Sequence, residues 1–241
     1  MLDLSDEQLQ RAKSMLDDAG ITLSSVGSDL GKISITDPFS DHLRRAAHAV
    51  EVANFFGSPF IRIFSFFIPE GEDPTSYRQE VMDRTAALVR LAEAGDVTML
   101  HENEKDIYGD VPERVVELMT TIDSPRYRAI FDPANYVQCK VRPFDEAYPM
   151  VRPHLAYMHC KDAVAGRMKD GLEEVVPCGE GDGQVREIVA ALAEDGFDGF
   201  FSLEPHLGDY TPFGAMSGAG LWTKAHDALT GIFTEQGIAW R

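Results

Sequence analysis

Short apolar runs alternate along the chain with amphipathic stretches, and each kind has its own period. Ser5 followed three residues later by Gln8 spells a capping box, and Leu9, Ala12, Met15 and Leu16 continue at helical spacing until Gly20. Residues 21–26 read as a strand. A loop with Gly27, Ser28, Gly31 and Lys32 leads to a helix over 42–56, whose Leu43, Ala46, Ala47, Val50 and Ala53 share one face. Residues 60–67 are almost wholly apolar, the pattern of a parallel strand buried on both sides, and 68–75 form a Pro/Gly/acid loop. Further on, helices are expected over 77–94, 112–121, 144–152, 184–194 and 221–236. Strands end on Glu102, Asp132, His159 and Glu204, and a polar loop fills 163–176. Six strands, each preceded by a helix, predict a parallel sheet whose strand C-termini share one edge.

Four of those strands stop on a side chain that can bind metal. Val97 to Leu100 lead into His101-Glu102-Asn103; Ala129-Ile130-Phe131 lead into Asp132; Tyr157 and Met158 precede His159-Cys160-Lys161-Asp162; Phe200 to Leu203 precede Glu204. Three carboxylates brought together would raise one another's pKa, and a bound cation keeps them ionised. Oxygen-rich ligation with a single nitrogen favours Mn²⁺ or Mg²⁺, with Co²⁺ or Zn²⁺ also compatible. Alternation along the strand turns His101 and Asn103 away from Glu102 and turns Cys160 away from His159, so His101 is read as supporting and Cys160 as packing. Lys161 shares the face of His159, where it can neutralise an oxyanion or pair with a nearby acid. Asn135 can hold a substrate hydroxyl or cap the turn after Asp132. His206 is a candidate substrate contact two residues beyond Glu204. Gly179-Glu180-Gly181-Asp182-Gly183 lacks the Lys-Ser/Thr ending of a P-loop and reads as a tight turn before a helix, with Asp182 near its N-cap.

Composition narrows the partners. Asp and Glu number 40 against 22 Lys and Arg, a formal net charge of -18 that a nucleic-acid backbone would repel. Three cysteines at positions 139, 160 and 178 show no C-x-x-C spacing and suit a reducing, cytoplasmic setting. No apolar run approaches the roughly 18 residues of a membrane span. A chain of 241 residues can bury one large core, so a single domain over 1–241 is expected.

Glu102 in His-Glu-Asn, Asp132 in Phe-Asp-Pro-Ala-Asn, His159 in His-Cys-Lys-Asp and Glu204 in Ser-Leu-Glu-Pro together resemble the xylose isomerase-like TIM barrel superfamily. More narrowly, the chain resembles its sugar phosphate isomerase/epimerase group. The resemblance implies one divalent metal held by Glu102, Asp132, His159 and Glu204, with Glu102 and Glu204 also moving protons through a metal-stabilised enediolate. Lys161, Asn135 and His206 would then meet a sugar or sugar phosphate. Relatives that dehydrate keto-inositols make a lyase the competing reading, and a catalytically impaired remnant acting as a binding module is another. The family's barrel has eight strands, and the six found here correspond to its third through eighth. The expectation is therefore a (β/α) barrel lacking the first two strands, open or completed by another chain, with self-association covering its edges.

Overall fold

The computed structural model describes every residue except 170, 209, 212, 213, 216 and 241. Its helices and strands are α1 (Asp6–Asp18), β1 (Ser25–Val26), α2 (Ser40–Phe56), β2 (Phe60–Ile63), α3 (Arg78–Ala94), β3 (Thr98–Glu102), α4 (Pro112–Ile122), β4 (Tyr127–Phe131), α5 (Pro133–Gln138) and α6 (Tyr148–Val151). They continue with β5 (Leu155–Cys160), β6 (Asp162–Lys169), β7 (Leu172–Val176), α7 (Val185–Glu194), β8 (Phe200–Leu203), β9 (Tyr210–Thr211), β10 (Gly214–Ala215) and α8 (Ala219–Glu235). One six-stranded parallel sheet runs in the order β1-β2-β3-β4-β5-β8. Its ends are β1 and β8, no ladder joins them among the described residues, and residues 1–20 hold no strand. The expected count of six is what the sheet contains, two short of a closed eight-stranded barrel.

By internal contacts the chain forms two compact units, one of residues 1–102, 106–109 and 116–129, the other of residues 103–105, 110–115 and 130–241. In the first, α1 starts on the expected capping box, Ser5 N–H donating to Gln8 Oε1 at 2.8 Å and Gln8 N–H to Ser5 Oγ at 3.3 Å. Its apolar face is thinly covered, with Leu9 buried but Met15 62% exposed. The first strand is shorter than the apolar run suggested. Pairing stops at Ser25↔Phe60 and Val26↔Ile61, and Ile21 is 56% exposed, because an end strand has a partner on one side only.

The 60–67 run is buried at Ile61 and from Ile63 to Phe66 and only half-buried at Phe60, Arg62 and Phe67, and it is extended only to Ile63. Past it the backbone turns, Phe66 sitting at φ 69°, and bonds to the loop after β1: Phe64 N–H donates to Leu30 O at 2.7 Å, Phe66 N–H to Gly31 O and Phe67 N–H to Ile33 O at 2.9 Å each. Gly31 is required there, because its φ is +88° and a Cβ would lie 2.0 Å from Phe64 O.

In the second unit, β5 and β8 pair in parallel, His159 opposite Ser202 and Cys160 opposite Leu203. The expected polar loop over 163–176 is instead the antiparallel hairpin β6–β7. It lies outside the main sheet, so much of it faces solvent and no alternating pattern marks it. A short helix, α5, was also absent from the sequence reading. Conversely, the single helix expected over 144–152 is a π-turn (Pro143–Ala147), α6 and a 3₁₀ turn (Arg152–His154), interrupted where prolines remove backbone donors. No helix among the described residues is long and apolar enough to cross a membrane.

Candidate metal centre

Each candidate ligand sits where a strand stops. Asp132 follows β4 directly and serves as N-cap of α5, its Oδ1 accepting Asn135 N–H at 2.9 Å while Pro133 occupies the first helical position. His159 is the fifth residue of β5, and Glu204 follows β8, its N–H donating to Cys160 O at 3.3 Å. Asp132, His159 and Glu204 each offer a ligand atom, all within 4.8 Å of one another. His159 Nδ1 lies 3.6 Å from Glu204 Oε2 and 4.0 Å from Asp132 Oδ2.

Lys161 enters the same cluster. Its Nζ is 2.8 Å from Asp132 Oδ2 and 2.9 Å from Glu204 Oε2, and the side chain is 5% exposed. Of the two roles considered for Lys161, pairing with acids is therefore realised. The Asp132 side chain is fully buried and that of Glu204 is 22% exposed, so Glu204 is the carboxylate more open to solvent.

Asn103 and Asn135 hold the backbone around Asp132. The Asn103 amide donates to Asp132 O and accepts Asp132 N–H, both at 2.9 Å, and Asn135 Nδ2 donates to Asn103 O at 2.8 Å. Both asparagines are buried. Asn135 thus gives its Nδ2 to the main chain. Asn103 was passed over in the sequence because alternation turns it from Glu102, yet its bidentate clamp locates Asp132. His206 lies in the loop after β8, half-buried, at φ 33°.

Glu102 ends β3, and its side chain is 2% exposed. Arg62 from β2 supplies a counter-charge, Nη1 lying 3.2 Å from Glu102 Oε2. His101, as expected, plays a supporting part: Nε2 is 2.9 Å from Ser65 Oγ, which accepts Gly109 N–H at 2.7 Å. Burial pulls the His101 imidazole down to about 4, the neighbouring Glu102 opposing, so the ring is neutral near pH 7. Burial likewise pushes the Cys160 thiol well up, in keeping with a packing role.

The glycine-rich turn has a different purpose from the N-cap expected of it. Asp162 Oδ2 accepts the N–H of Gly179 at 2.8 Å and of Gly181 at 3.0 Å, while Oδ1 accepts Gly183 N–H at 2.8 Å and Ala163 N–H at 2.9 Å. The cradle is occupied by the chain's own carboxylate. A Cβ on Gly181 or Gly183 would lie 2.4 or 2.6 Å from Asp162 Oδ1. Asp182 is not the cap: the N-cap of α7 is Gln184, and Asp182 Oδ2 accepts Ala165 N–H at 2.8 Å.

Asp132, His159 and Glu204 together make a donor set able to hold a metal ion. Hard oxygens with one imidazole suit a divalent ion of the magnesium, manganese or zinc kind, and the Lys161 contacts show carboxylates already arranged about a positive charge. No curated protein matches the chain. Among solved structures it is similar to a D-tagatose 3-epimerase-like protein (18% identity, 97% of this chain and 85% of that one, TM-score 0.76). It is similar also to a xylose isomerase-like TIM barrel protein from Mycobacterium smegmatis in complex with magnesium (20%, 98% and 80%, TM-score 0.73). A third is the probable 3-DHS dehydratase AsbF from Bacillus anthracis (21%, 83% and 76%, TM-score 0.66). The family model for the xylose isomerase-like TIM barrel matches residues 1–229, nearly the whole length. With ligand-type side chains closing successive parallel strands, the chain belongs to the xylose isomerase-like TIM barrel family.

Proposed function

We propose that this protein is a divalent-metal-dependent isomerase or epimerase of a sugar or sugar phosphate. The observation that carries the reading is the set of carboxylates and one imidazole at strand C-termini, in a family with epimerase-like neighbours. Glu102, Asp132, His159 and Glu204 are the proposed ligands. What a divalent ion supplies when bound is electron withdrawal from an adjacent carbonyl and hydroxyl, which acidifies the C–H between them.

The remaining work falls to the chain. Glu204, the more open carboxylate, takes the carbon-bound proton, and Glu102 returns one from the opposite face, which inverts the centre; return to the neighbouring carbon isomerises instead. Lys161, whose Nζ lies 2.9 Å from Glu204 Oε2, offers its positive charge to the oxygen that gains negative charge during the transfer. Asn135 and His206 are the proposed contacts to substrate hydroxyls. A second reading, dehydration, is favoured by the dehydratase neighbour and by Lys161, whose ammonium can protonate a departing β-hydroxyl.

The test is titration with Mn²⁺ followed by incubation in deuterated water with ketoses, ketose phosphates and keto-inositols. Wild type should bind one ion and place deuterium beside the carbonyl, and Glu204→Gln should weaken the ion and abolish exchange. A protein that takes up no stoichiometric Mn²⁺, or a Glu204→Gln variant exchanging at the wild-type rate, would overturn the proposal. Water elimination without exchange into recovered substrate would select the lyase.

A further inference from the structure

Lys161 touches two of the atoms proposed to ligate the ion, and its backbone has little room to move. The residue stands between Cys160, paired with Leu203 in the β5–β8 ladder, and Asp162, whose carboxylate accepts four backbone N–H groups. Its freedom therefore lies in the side chain, a flexible four-carbon stem that carries a compact charge. That stem brings Nζ to 2.8 Å from Asp132 Oδ2 and 2.9 Å from Glu204 Oε2, in a largely buried setting.

These are the oxygens that lie 4.0 and 3.6 Å from His159 Nδ1, so the carboxylate and imidazole donors and the ammonium share one small space. Asp132 has its other oxygen engaged, because Oδ1 caps α5 by accepting Asn135 N–H at 2.9 Å. A divalent ion that takes Oδ2 and Oε2 must then sit beside the ammonium, where like charges repel with little screening, or push it aside. Either course lowers affinity for the ion. We propose that Lys161 is a tethered counter-ion that competes with the metal for Asp132 and Glu204, so that the centre exchanges its ion instead of retaining it permanently; this rests on the metal reading above.

The experiment is Mn²⁺ calorimetry on the full chain, stripped beforehand by chelating resin. Lys161→Met nearly keeps the stem and removes the charge, and it should bind Mn²⁺ at least about tenfold more tightly than wild type. Lys161→Arg keeps the charge and should stay at or below wild-type affinity. Lys224→Met, which removes an exposed charge on α8, should differ from wild type by less than about twofold. The direction separates competition from support, since removing a lysine that merely propped the site would weaken the ion. Loss of the ammonium also takes a counter-charge from buried carboxylates, so Mn²⁺ should raise the melting temperature more in Lys161→Met than in wild type. If Lys161→Met is insoluble, Lys161→Gln, which is neutral and still donates hydrogen bonds, takes its place with the same tightening expected. Neutral variants that bind Mn²⁺ no more tightly than wild type, or Lys161→Arg tightening as much as they do, overturn the competition alone. Failure of wild type and every variant to take up Mn²⁺ overturns the metal centre itself and the competition with it.

Discussion

Replacing Asp162 with Asn leaves the side chain's size unchanged and removes half its acceptors, which isolates what the glycine cradle needs. The carboxylate serves four backbone N–H groups, two per oxygen. The amide oxygen can keep two of them, best the buried pair at Ala163 and Gly183, and its NH₂ then faces the N–H groups of Gly179 and Gly181. Each buried donor left without an acceptor costs about 1–3 kcal/mol, and the lower half of that range applies where water can re-enter. The Gly179 and Gly181 contacts are only partly buried, so the loss should be about 3 kcal/mol, read by urea denaturation. Asp162→Ala should cost more, about 7 kcal/mol, because the two fully buried donors at Ala163 and Gly183 lose their partner as well. Gly183→Ala provides the cross-check: its Cβ would collide with Asp162 Oδ1, so its cost should shrink by about 1 kcal/mol or more in the Asp162→Ala background. Asn and Ala variants within about 0.5 kcal/mol of wild type would refute the claim that the carboxylate organises this turn.

Stability should also depend on His101: its folded-state pKa of about 4 lies below the ordinary value of 6.5, so the unfolded chain binds the extra proton between those values. Stability is then full above pH 6.5 and falls as pH drops toward 4, by about 3 kcal/mol in total, a slope that denaturation at stepped pH should show in wild type and not in His101→Gln. Asn103→Ala removes both bonds to the Asp132 main chain and should weaken Mn²⁺ by about tenfold in calorimetry; unchanged affinity would show that the clamp does not position the ligand. Gly31→Ala places a Cβ against Phe64 O and should cost about 3 kcal/mol, with hydrogen exchange quickening first at Phe64 and Phe66, whose N–H groups bond to that loop.

Much of the fold was legible in the sequence wherever burial repeats with a period. The helices α1, α2, α3, α4, α7 and α8 fall within a few residues of their expected positions, and the strand-end placement of Glu102, Asp132, His159 and Glu204 follows from apolar runs that stop on a polar residue. Periodicity reports which residues are buried and not which partner their backbone takes. It therefore carried the second strand through 64–67, which is largely buried but bonded to a loop, and carried the first strand over 21–24, which lie outside the β1–β2 ladder. The hairpin β6–β7 was invisible for the opposite reason: strands exposed over much of their length leave no alternating pattern. Ligand-type residues could be named from the sequence because each is a local feature of one strand end. Their supports could not, since Arg62 against Glu102, Asn103 against Asp132, and Asp162 against three glycines join segments far apart in the chain. Only the folded backbone brings a donor within 3 Å of its acceptor, and so the tertiary structure alone decided which polar residues hold the ligands and which glycines have no substitute.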